Sequence, residues 1–102
     1  MNPPDDRLIL AIDQGTSGTS ATLYALDGRP IASVDMRVKS HYPQPGWVEQ
    51  DPYDILHSVR HSIQRLLHSE NVRPGQIVCM GFAHQGESLL LWDLETGRPV
   101  HN

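Results

Sequence analysis

Cysteine and positive charge are both scarce in this sequence. The single cysteine, Cys79, cannot form a disulfide within the chain, and its apolar sequence neighbours predict a buried thiol that acts as a small hydrophobe. Acidic residues outnumber lysine and arginine by 12 to 8, and the net charge of −4 argues against a nucleic-acid partner held by a basic patch. Any anionic ligand would therefore have to be bound by local backbone amides or by a metal ion.

Long hydrophobic runs are missing as well. The longest, residues 8–12, is far shorter than the roughly 20 residues of a membrane-spanning helix, so we expect no membrane partner. Residues 1–6 lack a positive region followed by an apolar stretch, which predicts no signal peptide and hence a cytoplasmic protein. A chain of 102 residues is long enough for one small domain.

The hydrophobic pattern predicts three antiparallel strands at the start of an α/β fold. Residues 8–12 are apolar at consecutive positions, as in a central strand that is covered on both faces. Residues 20–26 form the second predicted strand, after a turn rich in small residues. The dipeptide Asp27-Gly28 is a strong turn signal, and the alternation over residues 32–39 then predicts a third, half-exposed strand.

A helix and a parallel strand are predicted to follow. We expect the irregular segment 40–51 to be a loop that Trp47 anchors to the core. Asp51 suits a helix N-cap, and the apolar residues after it recur at helical spacing and should pack on the sheet. These residues are Ile55, Leu56, Val59, Ile63, Leu66 and Leu67. The apolar run 77–82 is reached through this helix, which implies a parallel strand, and residues 88–100 predict a further C-terminal strand and a turn.

The stretch from Asp13 to Ser20 places an acid at the end of a strand and a turn rich in glycine and hydroxyl groups after it. Gly15 would let the backbone approach a bulky anion, and the amides and hydroxyls of Thr16 and Ser17 could donate hydrogen bonds to phosphate oxygens. Asp13 could hold hydrated Mg²⁺, which prefers carboxylate oxygens and keeps several waters. The turn alone leaves two alternatives open, a phosphate and metal cradle or a hairpin without a ligand.

Other motifs for phosphate binding or nucleophilic catalysis are absent from the sequence. It contains neither G-x-x-x-x-G-K-[ST] nor G-x-G-x-x-G at the start of a helix. Thr19 stands where the serine elbow G-x-S-x-G requires its second glycine. His57 and His61 are one helical turn apart, but the sequence places no third ligand, so solvated histidines are favoured over a metal site.

Three segments together resemble the FGGY family of carbohydrate kinases. They are Asp13-Gln14-Gly15-Thr16-Ser17, then Pro43-Gln44-Pro45-Gly46-Trp47-Val48-Glu49-Gln50-Asp51-Pro52, then Gly81-Phe82-Ala83-His84-Gln85-Gly86-Glu87-Ser88, continued by Trp92-Asp93-Leu94-Glu95-Thr96-Gly97-Arg98-Pro99. Their order and spacing match from about Leu8 to the last residue, and the layout looks most like that of glycerol kinases. The match of all the segments is far more specific than any one of them.

The resemblance implies a ribonuclease H-like, actin-like ATPase fold of two domains with a cleft between them. It also implies phosphoryl transfer from ATP, with Mg²⁺, to a hydroxyl of a sugar or polyol substrate. Residues 1–102 would be the N-terminal part of the first domain, incomplete and inactive alone, with the catalytic aspartate and the second domain downstream. Two alternatives stay open: a non-catalytic truncated remnant that binds nucleotide or a partner, and another actin-like ATPase that shares only the Asp-x-Gly-Thr turn.

By the same resemblance, Asp13 would assist Mg²⁺ through water, and Gly15, Thr16 and Ser17 would face the nucleotide phosphates. Glycerol kinases commonly have an arginine at the end of this turn, where the present sequence has Ser20. A cation near the phosphates is therefore missing, and the nucleotide site is expected to be weaker or rebuilt.

The resemblance also implies an acceptor pocket lined by the segment that contains Glu87. This carboxylate would bind substrate hydroxyls, because it accepts two hydrogen bonds and its charge strengthens them. Gln85 and His84 are further candidates for substrate binding. Glycerol kinases have an arginine before the glutamate, and Gly86 stands there in this sequence, so the acceptor is predicted only as a sugar or polyol.

The predicted sheet would end at residue 92 with an unpaired edge. Unpaired strands and uncovered apolar surface favour association between copies. We therefore expect marginal stability and self-association through the exposed sheet edge.

Overall fold

The computed structural model describes residues 5–86 and 88–102, and its main elements follow the predicted order of three strands, a helix and a parallel strand. The elements are β1 (Leu8–Gln14), β2 (Gly18–Ala25), β3 (Pro30–Arg37), β4 (Ser40–His41), β5 (Glu49–Gln50), α1 (Pro52–Ser69), a single 3₁₀ turn (Pro74–Gln76) and β6 (Ile77–His84). No helix within these described residues is both long and apolar enough to cross a membrane.

The four longer strands form one sheet in the order β3-β2-β1-β6. The pairs β1–β2 and β2–β3 are antiparallel, and β6 lies parallel to β1, with Gln14 beside His84 at the end of both strands. A parallel neighbour requires a long crossover, and α1 provides it. The predicted topology is thus confirmed, and the C-terminal end of β6 arrives next to the turn that follows β1.

The core lies between one face of the sheet and α1. Leu10 and Ile12 of β1 and Leu23 of β2 are buried on this face, and Leu66 of the helix packs against them. Alternate residues of a strand point to opposite faces, which leaves Asp13 exposed on the other side. The expectation that both faces of β1 are covered is therefore not met in the part of the chain described.

Helix α1 begins as predicted. The Asp51 side chain accepts a hydrogen bond from the Tyr53 backbone N–H at 2.9 Å, and Pro52 occupies the first turn, where its missing N–H costs nothing. The predicted apolar stripe is only partly right, because Leu56 is exposed. The helix packs chiefly on β2 and β3, so a residue on its flank has no strand beneath it.

Two serines take the place of larger side chains on the buried face of α1. Ser58 and Ser62 are buried, and their hydroxyls donate to the backbone carbonyls of Ile55 and Val59, at 2.7 and 2.9 Å. The Ser58 hydroxyl also lies 2.7 Å from the hydroxyl of Thr19, at the start of β2. Small side chains let the helix lie close to the sheet, and the hydrogen bonds offset the cost of burying polar groups.

The predicted C-terminal strand is wrong. Residues 88–102 contain one isolated bridge, between Trp92 and Pro99, and proline has no N–H with which to extend a ladder. The predicted turn is confirmed: Asp93 Oδ1 accepts from the N–H groups of Thr96 and Glu95, at 3.0 and 2.8 Å. These donors hold the pKa of Asp93 below its ordinary value, because they stabilise the charged carboxylate.

Two expectations about buried side chains are also wrong. Cys79 is exposed, because β6 is the edge of the sheet and α1 packs mainly on β2 and β3. Trp47 is 52% exposed, so it does not anchor its loop to the core. The pairing of β4 with β5 orders this segment instead.

Candidate functional site

The turn between β1 and β2 is short and closed by backbone hydrogen bonds. The Gly15 N–H donates to the Gly18 carbonyl at 2.8 Å, and the Ser17 carbonyl accepts from the Val38 N–H at 3.0 Å. Thr16 and Ser17 at the tip are exposed. The sequence-predicted phosphate-binding residues therefore lie at an ordered and accessible turn.

The two glycines of the turn meet different surroundings. A Cβ at Gly18 would lie 3.0 Å from both the Met36 carbonyl carbon and the Arg37 Cα, and closer still to the Met36 oxygen. A Cβ at Gly15 would meet only the Gly18 oxygen, at 3.7 Å, which is an ordinary contact. Crowding by β3 thus explains why position 18 requires a glycine, whereas nothing inside the described chain requires a glycine at position 15.

Asp13 lies on the exposed sheet face beside two other polar residues. Ser20 is its partner on β2, and Asp35 is the partner of Ser20 on β3. The Ser20 hydroxyl donates to Asp35 Oδ1 at 2.5 Å, so it is already engaged. Asp13 and Ser20 line a shallow cavity of about 450 Å³ on this face. Two carboxylates therefore lie near the base of the turn.

Three glutamines hold the inner side of the turn. The Gln85 Nε2 atom lies 3.2 Å from Gln14 Oε1, 3.0 Å from Gln50 Oε1 and 3.3 Å from the Gly15 carbonyl. Gln50 Nε2 donates to the Thr16 carbonyl at 2.6 Å. We call Gln14, Gln50 and Gln85 the glutamine cluster. It joins the turn, the β4–β5 ribbon and the segment after β6, which are the three segments that the sequence singled out.

The glutamine cluster also borders a larger cavity. Thr16, Gln50, Gln85 and Ser88 are among the residues that line this space of about 680 Å³, and the Ser88 hydroxyl donates to Gln85 Oε1 at 2.8 Å. Asp13 does not line it. The structure therefore brings Thr16 and Gln85 to one cavity and leaves Asp13 on the opposite side of the turn.

The other predicted acceptor residues flank Gln85. His84 is exposed at the end of β6, with its Nδ1 atom 3.2 Å from the Gln85 carbonyl. A Cβ at Gly86 would meet no atom within 4 Å, so the space beside it is open. Glu87, the predicted substrate-binding acid, lies outside the described residues.

No metal centre is preformed in the described part of the chain. It contains no group of three histidine, cysteine or acidic side chains placed to hold a metal ion. The rings of His57 and His61 have centroids 5.1 Å apart and are tilted by 51°, and no third ligand lies with them among the described residues. A divalent cation at the turn would thus depend on one carboxylate, water and the oxygens of its own ligand.

Comparison with known proteins connects this geometry to one family. Residues 8–102 match the profile described as the FGGY family of carbohydrate kinases, N-terminal domain. A glycerol kinase from Stenotrophomonas maltophilia strain K279a is 42% identical over 96 residues, which cover 94% of this chain and 19% of that protein. A glycerol kinase from Symbiobacterium thermophilum is 40% identical over 94 residues, with 92% and 19% coverage.

Solved structures give the same result. The crystal structure of Plasmodium falciparum glycerol kinase with ADP aligns with a TM-score of 0.83 at 26% identity, and covers 94% of this chain and 19% of that one. A ligand-bound xylulose kinase from Lactobacillus acidophilus aligns with a TM-score of 0.84, with the same identity and coverage. The chain therefore spans about a fifth of the length of the proteins it matches.

Proposed function

This chain belongs to the FGGY family of carbohydrate kinases, as part of the N-terminal domain with its actin-like ATPase fold, and we propose that it supplies half of a kinase active site. The reaction is phosphoryl transfer from Mg-ATP to a hydroxyl of a sugar or polyol. Residues 1–102 contribute the N-terminal part of the first domain. In this proposal residues 1–102 supply no catalytic aspartate, so they have no kinase activity by themselves.

The free donors at the tip of the turn support the proposal most directly. Neither the backbone N–H nor the hydroxyl of Thr16 or Ser17 donates a hydrogen bond to another described residue. Both residues are exposed, and Gly15 adds no side chain beside them. Successive free amides in a turn can donate hydrogen bonds to an anion, which suits the phosphates of a nucleotide. The donors present therefore fit ATP.

Asp13 is the proposed contact to magnesium. Its carboxylate is exposed at the end of β1, and Mg²⁺ keeps several waters when it bridges a carboxylate and phosphates. The ion neutralises charge on the transferred phosphoryl group, where catalysis depends mainly on positioning and electrostatic stabilisation. Asp13 would hold the hydrated ion in place and would not bind it alone.

The acceptor is proposed to bind at the segment after β6. Glu87 would accept hydrogen bonds from substrate hydroxyls, His84 and Gln85 would flank it, and the cavity beside Gln85 would receive the substrate. The open space at Gly86 stands where glycerol kinases have an arginine, so the acceptor is proposed only as a sugar or polyol. A non-catalytic remnant that binds nucleotide or a partner is the alternative.

Titration with Mg-ATP tests the nucleotide site. We expect amide NMR shifts confined to residues 13–20, and an affinity about tenfold weaker for Asp13→Asn, because the charged contact to the hydrated ion is lost. Asp54→Asn is the matched control, since Asp54 is an exposed acid in the first turn of α1. Absence of shifts in the folded native chain would reject nucleotide binding by this chain and favour a remnant that binds a partner.

Asp35 offers a second test at the same site. Its carboxylate lies two strands from Asp13, so it opposes the binding of phosphate charge and holds the Ser20 hydroxyl. Asp35→Asn should strengthen Mg-ATP binding about threefold, measured by the same titration. Asp27→Asn, in the distant turn after β2, should leave the affinity unchanged. Weaker binding by the Asp35 variant would show that its charge supports the site.

The free edge of β6 is proposed to join two copies of the chain. The strand Ile77–His84 contains no proline, lysine, arginine or acidic residue, and it has no strand partner on its outer side among the described residues. Natural edge strands usually carry such residues, because these prevent pairing between molecules. A second β6 strand would satisfy the open backbone groups and cover apolar side chains.

A further inference from the structure

Two carbonyl groups at the tip of the turn point into the glutamine cluster. The Gly15 carbonyl accepts from Gln14 Nε2 at 3.0 Å and lies 3.3 Å from Gln85 Nε2. The Thr16 carbonyl accepts from Gln50 Nε2 at 2.6 Å. The carbonyls of two successive peptide units are thus held on the same side of the turn by side-chain amides from three different segments.

Because of the geometry of the peptide bond, the direction of these two carbonyls also sets the direction of the N–H groups that follow them. In a planar trans peptide, the carbonyl of one residue and the N–H of the next point in opposite directions. The Gly15 carbonyl therefore fixes the direction of the Thr16 N–H, and the Thr16 carbonyl fixes that of the Ser17 N–H. Both N–H groups are turned away from the glutamine cluster, toward the exposed tip.

Each glutamine is itself held in place. Gln85 Nε2 shares its two N–H groups among three oxygens, and Gln85 Oε1 accepts from the Ser88 hydroxyl at 2.8 Å. Gln50 Nε2 is also 3.3 Å from the Ser40 hydroxyl, on the neighbouring strand of the ribbon. Gln14 is buried at the end of β1. A side chain with several partners loses little freedom when a ligand binds, so the cluster can act as a preorganised support.

We propose that Gln50 and Gln85 are positioning residues that orient the Thr16 and Ser17 amides toward the phosphates of a nucleotide. Neither glutamine touches the nucleotide in this proposal, and both act on it through the carbonyls of the turn. Because Gln85 also contacts Ser88, the same hydrogen bonds connect the acceptor segment to the turn. The inference deepens the proposed nucleotide site and rests on it for its ligand, whereas the orientation of the two amides can be measured without any ligand.

The test replaces the donor and keeps the length of the side chain. In Gln50→Met the Thr16 carbonyl loses its Nε2 donor, and in Gln85→Met the Gly15 carbonyl keeps only the Gln14 donor, at 3.0 Å. We expect the N–H residual dipolar coupling of Ser17 to change in the first variant and that of Thr16 in the second, both in the ligand-free chain. Couplings in β1 and β2 should stay the same. Mg-ATP affinity should fall about fivefold, the usual effect of one lost hydrogen bond. Gln64→Met, on the exposed face of α1, is the matched control and should change neither quantity.

The outcomes separate the two proposals. Unchanged couplings at Thr16 and Ser17 in both variants would overturn the positioning role, whether or not the native chain binds Mg-ATP. Altered couplings with unaltered affinity would also overturn it, because the orientation would then have no effect on binding. If the native chain gives no shifts with Mg-ATP, its nucleotide binding is rejected, and the couplings alone decide whether the glutamines orient the turn.

Discussion

Replacing Gly18 with alanine is expected to destabilise the fold by about 3 kcal/mol, because the new methyl group would overlap the backbone of β3. The atoms that it would meet belong to the Met36 carbonyl and to the Arg37 Cα, and backbone atoms cannot rotate aside as a side chain does. The strands β2 and β3 would have to separate at their first pair. Urea unfolding followed by circular dichroism measures this loss.

Gly15→Ala provides the internal comparison for that experiment. Its methyl group would meet only the Gly18 oxygen at 3.7 Å, so we expect a change in unfolding free energy below about 1 kcal/mol. The added methyl group would instead lie beside the proposed phosphate position and should weaken Mg-ATP binding. Equal stability of the two variants would contradict the close approach of β3 to Gly18.

The second large effect is expected at the free edge of β6. The native chain should elute from size-exclusion chromatography as a dimer or larger species, and light scattering should give its mass. Met80→Lys places a charge in the middle of the edge strand, and lysine on an edge strand prevents pairing between molecules, so this variant should be a monomer. Val78, Met80 and Phe82 are all half-exposed there, and Phe82 has 54% of its surface accessible.

A control variant elsewhere on the surface distinguishes pairing through the β6 edge from non-specific hydrophobic association. Leu94 is 91% exposed in the C-terminal turn, and Leu94→Lys adds the same charge without touching β6. This variant should associate as the native chain does. A native chain that remains monomeric at every concentration would refute pairing through β6, and a monomeric Leu94 variant would assign the contact to the C-terminal segment.

The order and pairing of the main elements could be predicted because each rests on a local signal. Consecutive apolar residues marked β1 and β6, and Asp51 with Pro52 marked the start of α1. A helix between two buried strands implies a parallel pair, so the sheet topology followed as well. Residues 88–100 gave the same apolar signal as a strand, but within the described chain they have no neighbouring strand with which to pair.

The hydrogen bonds of the glutamine cluster could not be predicted, because they form between residues that are distant in the sequence. Gln85 is 71 positions from Gln14 and 35 from Gln50, and nothing in the spacing of three glutamines indicates that they meet. The burial of two serines in α1 could not be predicted for a related reason. Serine counts as polar in any periodicity, and only the contact of Ser58 with Thr19 shows why it can be buried.

The parallel pairing of β6 with β1 also predicts an order of assembly. The hairpins β1–β2 and β2–β3 join residues close in sequence, whereas β6 must close a chain segment of about 70 residues before it gains any contact. Gln85 arrives with this last strand, and Gln50 arrives with the ribbon before it. During refolding, the three antiparallel strands would therefore pair before the turn is oriented, so competence for a phosphate ligand would be the final property that the chain acquires.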